Sequence, residues 1–101
     1  MKMLLLVFRQ SLEQDLLLLL KELDVKAFTE APKVFGMGEA GTAYQSLGWP
    51  GSNSMILAAM EEEQAERVVQ RLKLFREHLA QQQHGAKIPM RLFAIPCEHL
   101  V

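Results

Sequence analysis

Gly36, Gly38 and Gly41 stand in the order G-x-G-x-x-G, and Gly85, Lys87 and Arg91 follow later in the chain. Closely spaced glycines can present backbone N–H groups to an anion with no Cβ in the way. Lys87 and Arg91 add positive charge, so the ligand expected at such residues is anionic, a nucleotide or a small acid. The dinucleotide fingerprint has the same glycine spacing but must open a helix after a strand. Here the glycines lead into turn-forming residues, "TAYQSLGWPG", and then into an apolar strand, so that reading fails on context. The same stretch carries the single tyrosine, Tyr44, and the single tryptophan, Trp49. Long connections in compact domains are usually functional or disordered. We therefore expect residues 37–52 to form a loop that touches a ligand or a partner.

Cys97 and His99 are two residues apart and share one side of an extended segment. With His84 as a third ligand they would suit zinc or copper. The same Cys–His pair could be written as nucleophile and base, but no orienting acid and no oxyanion donor accompanies it, so an enzyme is not expected. Glu61, Glu62 and Glu63 read as a solvated helix start, and the methionines, mostly at strand positions, as core.

These residues need elements to position them. The chain has 101 residues, half of them hydrophobic, which is one domain's worth. Eleven basic residues against twelve acidic ones argue against nucleic acid or anionic lipid as a partner. One cysteine cannot close an intrachain disulfide, and a reducing, cytoplasmic setting is expected. The start "MKMLLLVFRQ" resembles the front of a signal peptide, but the apolar run stops at Arg9 with no small-residue cleavage site. Residues 3–8 read better as a buried central strand, and no run approaches the ~20 apolar residues of a membrane span.

Ser11 and Gln14 form a capping-box signature for a helix reaching about Leu23. Its apolar stripe is Leu12, Leu16, Leu19, Leu20 and Leu23, widened by Leu17 and Leu18. Residues 25–38 read as an irregular strand, which Pro32 marks as an edge or a bulge. Residues 53–60 are a third strand. Residues 61–83 are the clearest helix, with Ala65, Val68, Val69, Leu72, Phe75 and Leu79 on one face and Gly85 placed to stop it. Residues 90–96 are the last strand.

The order β-α-β-β-α-β predicts one α+β domain over 1–101. The plan is ferredoxin-like, a four-stranded antiparallel sheet with two helices on one face. In the first strand Met3, Leu5 and Val7 point one way and Leu4, Leu6 and Phe8 the other. Two helices cover one face only, and no segment is left for the second. A symmetric oligomer with its sheets packed together is the expected solution.

At this point the chain resembles the PII-type signal-transduction proteins. The Met-Lys start of the first strand, "VFGMG" closing the second, "EEEQAERVVQRLK" after the third, and "RLFAIPCEHLV" at the end carry the likeness. "GWPGSNSMIL" is closer to a compact-loop branch, some of it associated with heavy-metal efflux, than to the nitrogen regulators. The resemblance implies a homotrimer that binds small effectors, often adenine nucleotides, in clefts between subunits. It also implies a loop after the second strand that engages a target such as a membrane transporter. Gly85 matches the start of the family's glycine- and lysine-rich phosphate turn, and Arg91 the basic residue opening the last strand. Ile88, Pro89 and Met90 stand where that turn has glycines, and proline has no N–H to offer. Two other readings stay open: a metal-binding accessory protein linked to an efflux pump, and an oligomeric scaffold that has lost its ligand site.

Overall fold

The computed structural model describes residues 1–34, 37–38, 41–42, 52–84 and 88–101. Strand β1 spans Lys2–Arg9, helix α1 Glu13–Glu22, β2 Thr29–Val34, β3 Met37–Gly38, β4 Gly41–Thr42, β5 Asn53–Met60, α2 Glu62–Gln82 and β6 Met90–Pro96. The main sheet has the order β2-β5-β1-β6 with every pairing antiparallel, and β3 and β4 form a separate two-stranded ladder. This is the expected four-stranded ferredoxin-like plan. The small ladder inside the glycine-rich stretch is an addition to it, with Gly38 opposite Gly41.

The central strand alternates as a pleated strand must. Leu4, Leu6 and Phe8 are buried, and Met3, Leu5, Val7 and Arg9 are only half-buried. On the covered side, Ile56, Ala58 and Met60 of β5 and Met90 of β6 join Leu16, Leu19 and Leu20 of α1 and Ala65, Val68 and Leu72 of α2 in one core. On the other side Leu5 lies opposite both Leu57 and Phe93, and Met3 opposite Ala59 and Ile95. Phe93 and Ile95 are about half exposed, at 48% and 46%. The sheet thus has one dry face and one apolar face open to water in the single chain, as the two-sided pattern of β1 requires.

The helix ends depart from expectation. Ser11 does not cap α1, because a 3-10 turn over Gln10–Leu12 carries the chain into the helix and Leu12 takes the capping position with no side-chain bond. Leu17 is half-buried against the core, but Leu18 is 58% exposed and does not widen the buried stripe. At its other end α1 closes through a left-handed Asp24, φ 61°. Asp24 N–H donates to the Lys21 carbonyl at 3.1 Å and Val25 N–H to the Leu20 carbonyl at 2.9 Å. Buried Val25 and Leu20 supply the apolar contact that accompanies such a stop. Helix α2 ends in the same way, ahead of Gly85: His84 takes φ 55° and donates its N–H to the Gln81 carbonyl at 3.3 Å. Aspartate and histidine tolerate this region better than most residues with a Cβ. Pro32 lies in a register shift of edge strand β2 between Ala31 and Val34, with Lys33 at φ 57°. That is the bulge its position predicts. Among the described residues no helix is long and apolar enough to cross a membrane.

Leu16 is fully buried where α1 meets the sheet, so Leu16→Ala should cost about 2–5 kcal/mol in denaturant unfolding. Ser11→Ala, which removes no cap, should change stability by less than about 0.5 kcal/mol.

Candidate functional site

The predicted ligand residues belong to two chain segments, and the sheet brings the flanks of both to one end. Val34, which leads into the glycine-rich segment, pairs with Asn53, where the chain returns, and Asn53 pairs with Arg9. Gln10 N–H donates to the Ser52 carbonyl at 2.8 Å, and Ser52 Oγ donates to Gln10 Oε1 at 3.0 Å. Arg9 N–H donates to the Pro89 carbonyl at 3.0 Å, tying in the segment that follows α2. These bonds lock three strand ends together, because each satisfies a backbone group at a place where the ladder runs out.

Arg91 is exposed on the open side of the sheet at this end, opposite Val7. Gly38 and Gly41 pair with each other in the small ladder. Gly36, Gly85, Lys87, Tyr44 and Trp49 lie outside the described residues. Near Gly85 and Lys87 the backbone is partly committed to the fold. Met90 N–H donates to the Ile88 carbonyl at 2.8 Å, and Pro89 has no N–H. Residues 89–90 therefore have no backbone donor left for a phosphate, and residues 85–87 are the remaining candidates in that turn.

The metal ligands are not assembled. The sheet register puts Cys97 just past Pro96, beside Lys2, whereas His84 follows the end of α2, and α2 runs back to the Met90 end. A seven-residue strand spans about 20 Å, so the two sites are a sheet length apart. Cys97 N–H donates to the Met1 carbonyl at 3.3 Å, and His99 Nε2 lies 2.6 Å from the Val101 carbonyl oxygen. Among the described residues no group of three His, Cys, Asp or Glu side chains could hold a metal. Cys97 and His99 are neighbours in the tail, but the third partner was a matter of topology that spacing does not carry.

Two features at the functional end were not anticipated from the residues. Glu30 of β2 is on the helix side, opposite Ile56, and meets Glu13 at the start of α1. A side-chain hydrogen bond to Glu13, then burial, then repulsion by the Glu13 charge all push the Glu30 pKa above its ordinary 4.5. Two carboxyls can share a hydrogen bond only while one holds a proton. The other feature is Arg9, read in the sequence only as the charge that ends an apolar run. Period-two alternation places it on the Met3–Leu5–Val7 side, half-buried, with its Nε shut off from solvent.

A family model described as nitrogen regulatory protein P-II matches residues 1–98 of the chain. Among solved structures, CPII, a nitrogen regulatory PII-like protein from Thiomonas intermedia K12 bound to ADP, AMP and bicarbonate, matches with a TM-score of 0.71 at 20% identity. That match covers 92% of this chain and 81% of that one. CPII bound to ADP, AMP and acetate matches with a TM-score of 0.67 at 19% identity, covering 93% and 82%. A putative PII-like signaling protein from Thermus thermophilus matches with a TM-score of 0.59 at 24% identity, covering 92% and 82%. At such identities the likeness speaks for the fold. No curated protein matches the chain.

Because the folded Glu30 binds its proton more tightly than the unfolded one, its stabilising effect is complete below about 4.5 and is lost as pH rises through the folded value. Glu30→Gln keeps a donor towards Glu13 and does not titrate. Its melting temperature should equal that of the native chain near pH 4 and exceed it at pH 7, measured by calorimetry at both.

Proposed function

The chain belongs to the nitrogen regulatory protein P-II family, and from that premise we propose that it is a non-catalytic regulatory protein that senses a small effector. The effector is an adenine nucleotide, alone or with a small anion, held in clefts between copies of the chain. Structures of the same fold bind ADP and AMP together with bicarbonate or acetate, which supports the effector class. The ligand residues are Gly36, Gly38, Gly41, Gly85, Lys87 and Arg91. The observation that carries this reading is the convergence of their flanking strands at one hydrogen-bonded end of the sheet.

Three copies assemble through the open sheet face. Met3, Leu5, Val7, Met55, Leu57, Phe93 and Ile95 all stand there by register, and burying a side chain of this kind contributes about 1.5–3 kcal/mol. Effector binding shifts the 37–52 loop between two sets of conformations. In one of them the loop, through Tyr44 and Trp49, engages a protein partner such as a membrane transporter. The cytoplasm is the setting in which adenine nucleotides and a free thiol both fit.

The test is sedimentation combined with calorimetry. The native chain at micromolar concentration should sediment as three copies and release or absorb heat with ADP, ATP or AMP. Leu5→Glu places a charge between Leu57 and Phe93 and should give a folded single copy without nucleotide binding. A native chain that is a well-folded single copy and silent towards all three nucleotides would overturn this reading.

A further inference from the structure

The open face of the sheet is apolar along most of its length, but not at the functional end. There the register sets Arg91 opposite Val7 and Asn53 opposite Arg9. Arg9 and Arg91 are therefore diagonal neighbours on adjacent strands and on the same face, with Asn53 beside Arg9. Diagonal positions on paired strands have Cβ atoms about 7–8 Å apart, well within the reach of two arginines converging on one group. Both arginines project from strands, and the strand ends are tied by the Arg9–Pro89 and Gln10–Ser52 backbone bonds. Their spacing is built into the sheet rather than left to a loop.

The sign of the charge is uniform. The register positions of this face hold Met3, Leu5, Val7 and Arg9 on β1, and Asn53, Met55, Leu57 and Ala59 on β5. They hold Arg91, Phe93 and Ile95 on β6, and Thr29, Ala31 and Val34 on β2. None is acidic. When copies of the chain bring these faces together, each adds two more cations and no carboxylate from its own sheet. Covering the neighbouring apolar surface also removes water, which strengthens the attraction for an anion.

We propose that Arg9 and Arg91, with Asn53, form the recognition site for a small planar oxyanion, the O–C–O group of bicarbonate or of a carboxylic acid. The site is completed when copies of the chain assemble. It deepens the regulatory reading above, on which its role as an effector site rests, by naming the side chains that read the second effector. The guanidinium is a rigid fork whose parallel N–H groups match two oxygens on one carbon. The Asn53 amide supplies a further donor. A tetrahedral phosphate shares the charge but lacks the flat two-oxygen edge at one carbon. Arg91 on the exposed edge and Arg9 on the half-buried side give the anion an entry path and a floor.

The experiment is titration calorimetry on the full chain with ADP, and then with bicarbonate, acetate or inorganic phosphate added to the ADP complex. Arg9→Gln, Arg91→Gln and Arg9→Lys are compared with the native chain, and assembly is checked by sedimentation. Bicarbonate, acetate or both should bind more tightly than phosphate, and the arm with the stronger response identifies the source of the planar group. Each Gln variant should weaken that binding by about ten-fold or more while ADP affinity changes less than about three-fold, the loss expected of one bidentate charged contact. Arg9→Lys keeps the charge but not the fork and should fail to restore it. Arg91 is exposed, so its variant reports even where Arg9→Gln disturbs assembly. Unchanged anion affinity in an assembled Arg91→Gln variant overturns the proposal, as does equal loss of ADP and anion. A native chain that binds ADP but neither planar anion overturns this inference and leaves the nucleotide reading standing. One that binds the anion but no nucleotide does the reverse.

Discussion

A four-stranded sheet has two faces, and two short helices on the same side can dry only one of them. Most of the molecule's organisation descends from that mismatch. Leu4, Leu6 and Phe8 leave water when α1 and α2 settle on the sheet, and neither helix reaches Met3, Leu5 and Val7 on the far side. Apolar side chains kept at these positions make physical sense only if other chains cover them. The same constraint decides where a ligand can sit. The middle of the open face is needed for contact between copies, so binding groups are pushed to its end, where the strands stop and charged residues begin.

That end is built by accounting for backbone groups. Where β1 runs past its neighbours, the N–H groups of Arg9 and Gln10 find the carbonyls of Pro89 and Ser52. Those two bonds gather the segment after α2 and the return of the glycine-rich stretch around one strand tip. A rigid rim is thus set beneath two variable segments, an arrangement that lets a ligand read by the segments be felt by the sheet. The left-handed Lys33 in the bulge of β2 stands at the exit from this rim. It turns the edge strand away from further pairing, as bulges at sheet edges do.

Much of this was legible in the residues. The limits of β5 and β6, the bulge at Pro32, and the two-faced nature of β1 follow from alternation and from what proline cannot do. The errors cluster at helix ends and on helix faces. Ser11 has the spacing of a cap but falls inside a 3-10 turn, and His84 takes the left-handed position ahead of the glycine expected to hold it. Leu18 belongs to an unbroken run of leucines, in which composition does not say which member faces water. Each of these depends on how the helix seats on the sheet, which a short stretch of residues does not record.

Periodicity and length determined the order of elements, the apolar character of both sheet faces and the resulting need for company. These are local properties of a chain with a repeat of two or of about 3.6 residues. The tertiary structure alone decided which distant residues became neighbours. Strand register sets Arg9 next to Arg91 from the far ends of the chain, carries His84 away from Cys97, and brings Glu30 against Glu13. A shift of one residue in any pairing would have sent these side chains to the opposite face. Register is chosen by the packing of the whole core, and no short stretch of sequence contains it.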